Sequence, residues 1–354
     1  MRLATFLLLM FLGFTLAQAQ SIERLKQTQA RIKTQDAVLL PAYEALLQDA
    51  KKALKTEPPT VAQKERTPPS GDKHDYLSLA PYWWPNPQSK DGLPYLRRDG
   101  ETNPDSKRGT DANSIGALGN AVEALALAYQ LTGEERYAER AGLFLRSWFL
   151  TPATKMNPNF RYAQAVLGHD EGRGAGLIES RHFIQVVNAV GWLKTSKAWT
   201  ASDQQAVIAW FRAFVEWMQT SPNGKDEAKA KNNHGSWYAA QLATYALFIG
   251  DEALARKTIE AAKLRISAQF QPDGQQPEEL QRTRGLWYSG FNLEALLTLA
   301  ELGQPLGIDL YGFQNKGGQS KEGSSLRRGI DYLAPYADPA AVPGYLRPRA
   351  IAWA

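Results

Sequence analysis

From about residue 110 onward, apolar residues return along the chain at helical spacing. Tyr137, Ala141, Phe144 and Trp148 fall on one face of a helix, and Val207, Phe211, Phe214 and Met218 repeat the pattern. It recurs in Tyr238, Leu242, Tyr245 and Ile249, in Ala255, Ile259, Ala262 and Ile266, and in Leu293, Leu296, Leu297 and Ala300. Alternation at period two, rich in β-branched residues, is nearly absent. The pattern predicts an all-α chain.

The punctuation between these stretches predicts helical hairpins. Leu131-Thr-Gly-Glu-Glu135 and Phe248-Ile-Gly-Asp-Glu252 each place a glycine where a helix would end and acids where the next would open. Ala300-Glu-Leu-Gly303 looks like the first half of the same device. Repeated hairpins build either an open α-solenoid or a closed (α/α) barrel or toroid. Wide, aromatic-rich helices without a strict period favour the toroid. Three stretches break the pattern: residues 57–109, residues 156–176, and a polar tail over residues 303–354. Aromatic residues in the first two predict ordered loops walling a groove or tunnel, since long structureless loops in a compact domain are usually functional or disordered.

Composition narrows the setting. Arg2, the apolar run Leu7 to Leu16 and Ala17-Gln18-Ala19 read as a cleavable leader over residues 1–19, which leaves 20–354 as a single domain. The apolar run is too short to span a bilayer, so the expectation is an exported protein, periplasmic or secreted, with no membrane insertion. Losing Arg2 lowers the net charge from +5 to +4, a modest excess that suits an anionic ligand; no basic run marks a nucleic-acid binder. With no cysteine there is no thiolate chemistry, and the four histidines show no ligand spacing, so no histidine-based metal site is expected, which leaves a carboxylate-bound calcium open.

Two segments hold the candidate chemistry: Lys231-Asn-Asn-His-Gly-Ser-Trp-Tyr238 and Arg282-Thr-Arg-Gly-Leu-Trp-Tyr288. Cleaving a uronic-acid polymer by β-elimination requires removing the C5 proton beside a carboxylate, which is feasible only when donors neutralise that carboxylate. Asn233 and His234 could supply donors from one side and an arginine from another. A free tyrosine has a pKa near 10, and a nearby guanidinium favours its phenolate. Arg282 or Arg284 could do this for Tyr288. In mannuronate and glucuronate the C5 proton and O4 lie on the same ring face, so one tyrosine could take the proton and return it to the leaving oxygen. Each residue also has a plainer reading. Asn232, Asn233 and His234 could be helix caps, Arg282 and Arg284 solvated charges, and Tyr288 a core tyrosine. Tyr82, Trp83 and Trp84 read either as hydrophobic cover for a loop or as a sugar-stacking platform. Arg161, Arg173 and Arg181, near Tyr162 and Gln164, form a possible carboxylate-binding strip or ordinary ion pairs. A glycoside hydrolase would need two opposed carboxylates, and Asp75, Asp111, Glu171 and Glu179 carry no motif for one.

From near His74 to near Leu302 the chain resembles the bacterial alginate lyase domain family. The motifs are Asp75-Tyr-Leu-Ser-Leu-Ala-Pro-Tyr-Trp-Trp-Pro, Asp91-Gly-Leu-Pro-Tyr-Leu-Arg-Arg-Asp-Gly-Glu, Asn157-Pro-Asn-Phe-Arg-Tyr-Ala-Gln, Asn232-Asn-His-Gly-Ser-Trp-Tyr and Arg282-Thr-Arg-Gly-Leu-Trp-Tyr-Ser. It is most similar to the branch holding alginate and glucuronan lyases. The resemblance implies an (α/α) barrel with a groove or tunnel across its mouth and no cofactor. It implies that Asn233 and His234 neutralise the substrate carboxylate, that Tyr288 is base and acid, and that Arg282 tunes Tyr288. A further amide is expected on an earlier element, with Gln164 the candidate. The substrate it implies is an anionic polysaccharide, poly-mannuronate alginate ahead of glucuronan; a polysaccharide-binding module without turnover is the remaining alternative.

Overall fold

The computed structural model describes residues 12–315 and 323–336, with side chains from residue 23 on. The side chains of the expected leader and the end of the tail lie outside the described residues. Two helices come first, α1 (Leu12–Lys33) and α2 (Leu40–Lys55). The loop-rich stretch then carries three short strands, β1 (Leu77–Leu79), β2 (Trp83–Trp84) and β3 (Leu96–Arg97). The helical body follows with α3 (Ala112–Thr132) and α4 (Glu135–Phe149), then β4 (Tyr162–Ala165), a 3-10 segment (Gly174–Arg181) and α5 (His182–Leu193). It continues through α6 (Ala201–Thr220), α7 (Pro222–Lys229), α8 (Asn233–Ile249), α9 (Glu252–Gln269), α10 (Pro277–Leu280), α11 (Gly285–Gly303) and α12 (Leu326–Leu333).

The helices form two layers of an (α/α) toroid. Helices α3, α5, α8 and α11 pack side by side as the inner layer, with α2 and α4 against α3, α6 and α9 against α8, and α12 against α11. The sequence makes this arrangement by giving the outer helices one apolar face and the inner ones nearly none that is polar. In α4 the buried face is Tyr137, Ala141, Phe144 and Trp148, all at most 1% exposed, while every residue of α8 from Gly235 to Phe248 is buried. Burying one large apolar side chain is worth roughly 1.5–3 kcal/mol. The expected hairpin glycines, Gly133 (φ 74°) and Gly250 (φ 85°), do close α3 and α8.

Two expectations need correction at the C-terminal end. Gly303 does not stop its helix: α11 runs through it into a 3-10 turn that Gly307 (φ 71°) closes. The tail expected as irregular contains α12, whose Ser325 accepts from the Arg328 N–H at 3.3 Å. Leu326, Gly329 and Leu333 bury one face of it, with Gly329 close against the Phe270 ring. Only two large apolar residues mark that face, and Arg327, Arg328 and Asp331 surround them, so the short period is hidden in polar sequence.

The loop-rich stretch is ordered against this body. β1 pairs in parallel with β4, Leu77 opposite Tyr162 and Leu79 opposite Ala165, and β2 pairs antiparallel with β3, Trp83 opposite Arg97. A buried ion pair fixes where this layer meets α3. Lys64 Nζ lies 3.0 Å from Asp111 Oδ2, which also accepts from the Leu77 N–H at 2.9 Å. Lys64 further donates to the carbonyls of Val61 (2.6 Å) and Lys73 (2.7 Å). Burial pushes the Asp111 carboxyl up to about 6 and the Lys64 ammonium down, while each partner acts against its neighbour's shift. These added bonds are what make such a buried pair tolerable.

Candidate active site

Tyr288 sits in the first turn of α11, 5% exposed, where Arg284 ends the preceding loop and accepts the Tyr288 N–H at 3.0 Å. That turn carries the tyrosine back to Arg282. Arg282 Nη2 donates to the Tyr288 hydroxyl at 3.1 Å, and the guanidinium carbon lies 4.0 Å from the centre of the ring. The hydroxyl of Tyr82, from the loop before β2, lies 2.6 Å from that of Tyr288. Arg282 is itself clamped by Asp99, with Nη2 at 2.8 Å from Oδ1 and Nε at 3.2 Å from both oxygens. Thr283 adds its N–H (3.3 Å) and Oγ1 (3.0 Å) to the same carboxylate. The Arg282 contacts hold the Asp99 carboxyl well below the usual range; burial works against the Arg282 charge, and Asp99 with Tyr288 and Tyr82 outweighs it.

Burial is the largest influence on Tyr288 itself, and together with the Tyr82 contact it raises the pKa above that of a free tyrosine. Arg282 acts in the expected downward direction but does not outweigh burial. In this structure Tyr288 is therefore a neutral phenol near pH 7. Once ionised, its oxygen has two donors already in place, the Arg282 guanidinium and the Tyr82 hydroxyl. Of the two candidate arginines it is Arg282 that bonds the Tyr288 hydroxyl, while Arg284 is exposed.

The second corner is the start of α8. Asn232 is its cap, the side-chain oxygen accepting the His234 N–H at 3.3 Å, so the capping reading holds for this residue. Asn233 is 1% exposed and faces the carboxylate of Glu279 on α10, donating to it from N (2.5 Å) and Nδ2 (2.7 Å). One Nδ2 hydrogen remains, and Asn233 Oδ1 is buried with no partner. Burial raises the Glu279 carboxyl, while the two hydrogen bonds from Asn233 pull it back. His234 Nδ1 lies 2.7 Å from Oε1 of the buried Glu227, leaving Nε2 as the free nitrogen. A groove of about 330 Å³ opens here, lined by Ala175, Asp226, Glu227, Lys229 and Asn232 as well as His234.

The third corner joins Gln164 to Trp83. Gln164, in β4, is 8% exposed with φ 48°, a left-handed conformation that costs a non-glycine residue energy. Its N–H donates to Ser78 Oγ at 2.7 Å, and its Oε1 accepts from Arg173 Nη2 at 3.1 Å. The Arg173 guanidinium lies 6.0 Å from the centre of the Trp83 ring. Trp84 points the other way, as successive strand residues do. Its Nε1 donates to the Glu101 carbonyl at 3.0 Å, with Arg98 over the ring at 5.1 Å.

The structure thus brings together Tyr288, Arg282 and Tyr82 in one contact chain and Gln164 with Trp83 through Arg173 in another, while Asn233 and His234, adjacent at the start of α8, each meet a separate glutamate. It does not bring Tyr162 to them; that side chain is 2% exposed and covered by Arg161 at 5.2 Å. Sequence reasoning missed Asp99, Glu279 and Glu227, the carboxylates that orient Arg282, Asn233 and His234. Asp99 lies inside the Asp91–Glu101 motif, but nothing local ties it to an arginine 183 positions away.

The family described as Alginate lyase matches residues 60–342. A crystal structure of an alginate lyase from Bacteroides ovatus is 43% identical, with a TM-score of 0.83, covering 89% of this chain and 81% of that one. Alginate lyase A1-III from Sphingomonas species A1 is 18% identical, with a TM-score of 0.52 over 83% of this chain and 74% of that one. A variant of alginate lyase A1-III complexed with a tetrasaccharide is 17% identical, with a TM-score of 0.57 over 91% and 78% of the two chains. At the last two identities the likeness is one of fold. No match was found among curated proteins.

Proposed function

The chain belongs to the alginate lyase family and is a polysaccharide lyase, and from that premise we propose that it cleaves poly-β-D-mannuronate by β-elimination, leaving 4,5-unsaturated uronate ends. The observation that carries the reading is the setting of the Tyr288 hydroxyl, 3.1 Å from Arg282 Nη2 and 2.6 Å from the Tyr82 hydroxyl. A phenol held between a cation and a second hydroxyl can give up its proton and have the phenolate stabilised at once. As the phenolate, Tyr288 removes the C5 proton, and the phenol so formed delivers that proton to O4 on the same ring face as the C4–O4 bond breaks. Asn233, through its remaining amide hydrogen, and His234, through the Nε2–H of an imidazolium whose Nδ1–H is held by Glu227, neutralise the C6 carboxylate from the other corner. Losing one such donor costs roughly a hundred- to a thousandfold in rate. The tetrasaccharide bound by the A1-III variant supports a groove that holds several sugars. The leader read over residues 1–19 supports export to the periplasm or medium, with residues 20–354 acting as one domain.

The test follows ultraviolet absorbance of the new double bond while purified protein acts on polymannuronate, polyguluronate, glucuronan and a neutral glucan. The signal should grow fastest on polymannuronate and stay flat on the glucan. Faster growth on glucuronan would move the substrate to the epimeric polymer, and cleavage without absorbance would mean hydrolysis. Tyr288→Phe should lower turnover at least about a hundredfold, in line with loss of a general acid–base group. A folded variant working at the parental rate would remove Tyr288 from the role.

A further inference from the structure

Arg173 is a half-buried cation that no acid pairs with among the described residues. Among the described residues its one side-chain hydrogen bond goes to a neutral acceptor, Gln164 Oε1, at 3.1 Å. Its Nε is buried without any partner. Burial works against its charge, and Asp170, Glu227 and Glu179 act on it only from a distance, while Arg97 opposes it. Arg282, by contrast, already has the Asp99 carboxylate on its fork. An unpaired, partly desolvated guanidinium is costly unless a ligand completes it, because its donors are left unsatisfied.

The backbone places this arginine deliberately. The Arg173 N–H donates to the Ala163 carbonyl of β4 at 3.1 Å, and the Gly176 N–H returns to the Arg173 carbonyl at 3.0 Å. On either side, Gly172 and Gly176 lie so close to the carbonyls of Arg161 and Ala163 that a Cβ at either position would overlap them. The segment is therefore pressed onto β4 with Arg173 standing out beside the strained Gln164. Trp83 flanks the guanidinium at 6.0 Å and is itself set edge-on to His169 at 5.1 Å. Ala175, two residues on, lines the groove that opens at His234. A planar cation beside an indole face matches a pyranose ring bearing a carboxylate, since the guanidinium donates N–H bonds to the carboxylate oxygens and the indole stacks on the ring.

We propose that Arg173, positioned by Gln164, is the subsite residue that takes the carboxylate of a uronate unit lying against Trp83, and that it selects a charged sugar over a neutral one. The inference rests on the uronan reading above. It assigns to Arg173 ground-state binding, distinct from the proton transfer given to Tyr288.

Two measurements test it. In steady-state assays on polymannuronate, Arg173→Ala should raise KM about ten- to a hundredfold, the loss expected for hydrogen bonds to a charged group, with kcat largely held. Arg173→Lys should recover part of that loss, keeping the charge but not the fork. Circular dichroism melting confirms that each variant is folded. In calorimetry with mannuronate oligosaccharides, the Arg173→Ala change made in the Tyr288→Phe background should weaken binding by the same factor. Parental KM and affinity in Arg173→Ala, or equal losses in the Ala and Lys variants, would overturn the proposal while leaving the lyase reading intact. Arg173-dependent binding without any unsaturated product would do the reverse. If the parent neither binds nor turns over uronans, both fall.

Discussion

At the scale of single residues, Arg282 has two jobs that a substitution can separate. It fills the Asp99 carboxylate and it offers Nη2 to the Tyr288 oxygen. Burial raises the tyrosine and Arg282 alone among the strong charges pulls it down. Removing the cation destabilises the phenolate, so the pKa rises further and less base exists at any given pH. Arg282→Ala should therefore move the rising limb of the pH–rate profile to higher pH and lower the rate near neutrality; an unmoved limb would show that Arg282 does not set the ionisation of Tyr288. The sequence made the Tyr288–Arg282 pairing legible because both residues lie within two turns of one another. It left Arg284 as an equal choice, since spacing alone does not say which guanidinium the helix start turns inward. The partners of these groups were hidden for the opposite reason. Asp99, Glu279 and Glu227 are common acids in ordinary polar surroundings, and only the folded chain sets them against Arg282, Asn233 and His234.

At the scale of elements, one ion pair joins α4 to the start of α6. Arg146 meets Asp203 through Nε (3.0 Å) and Nη2 (2.8 Å), and Asp203 also caps the helix through the Thr200 N–H at 3.0 Å. Arg146 first, then Thr200, brings the Asp203 carboxyl down to about 2 from 3.8. A carboxyl depressed on folding stabilises above its unfolded pKa and loses that contribution as pH falls through its folded one. The pair is near the surface, so solvent screening reduces its worth to about 1–2 kcal/mol. Urea titrations should show Asp203→Asn less stable by that amount at pH 7, with the gap closing as pH falls through about 2; a gap that persists in stronger acid would assign the loss to packing. Helices such as α4, α6 and α9 were legible because each repeats an apolar face over four turns. The strand pairs were not, because two or three residues carry no period and their partners come from distant chain: Leu77 meets Tyr162. Helix α12 fell below notice for the same shortness.

At the scale of the whole molecule, the toroid supplies the inner helices and the irregular stretch before α3 supplies what faces them. Tyr82 reaches Tyr288 across 206 positions and Asp99 reaches Arg282 across 183. Both contacts join the same loop-rich segment to the start of α11, so neither partner can be ordered for chemistry unless the segment is seated. The helical layers do not depend on it to the same degree, since α8, α9 and α11 bury their own apolar cluster. Local openings of loop segments cost less than global unfolding. Turnover should consequently fail at a lower urea concentration than helical ellipticity; coincident curves would mean that the segment and the helices melt as one. Enzyme activity would then serve as a thermometer for the seam rather than for the body, registering a latch that has slipped while the spectroscopist still records an intact protein.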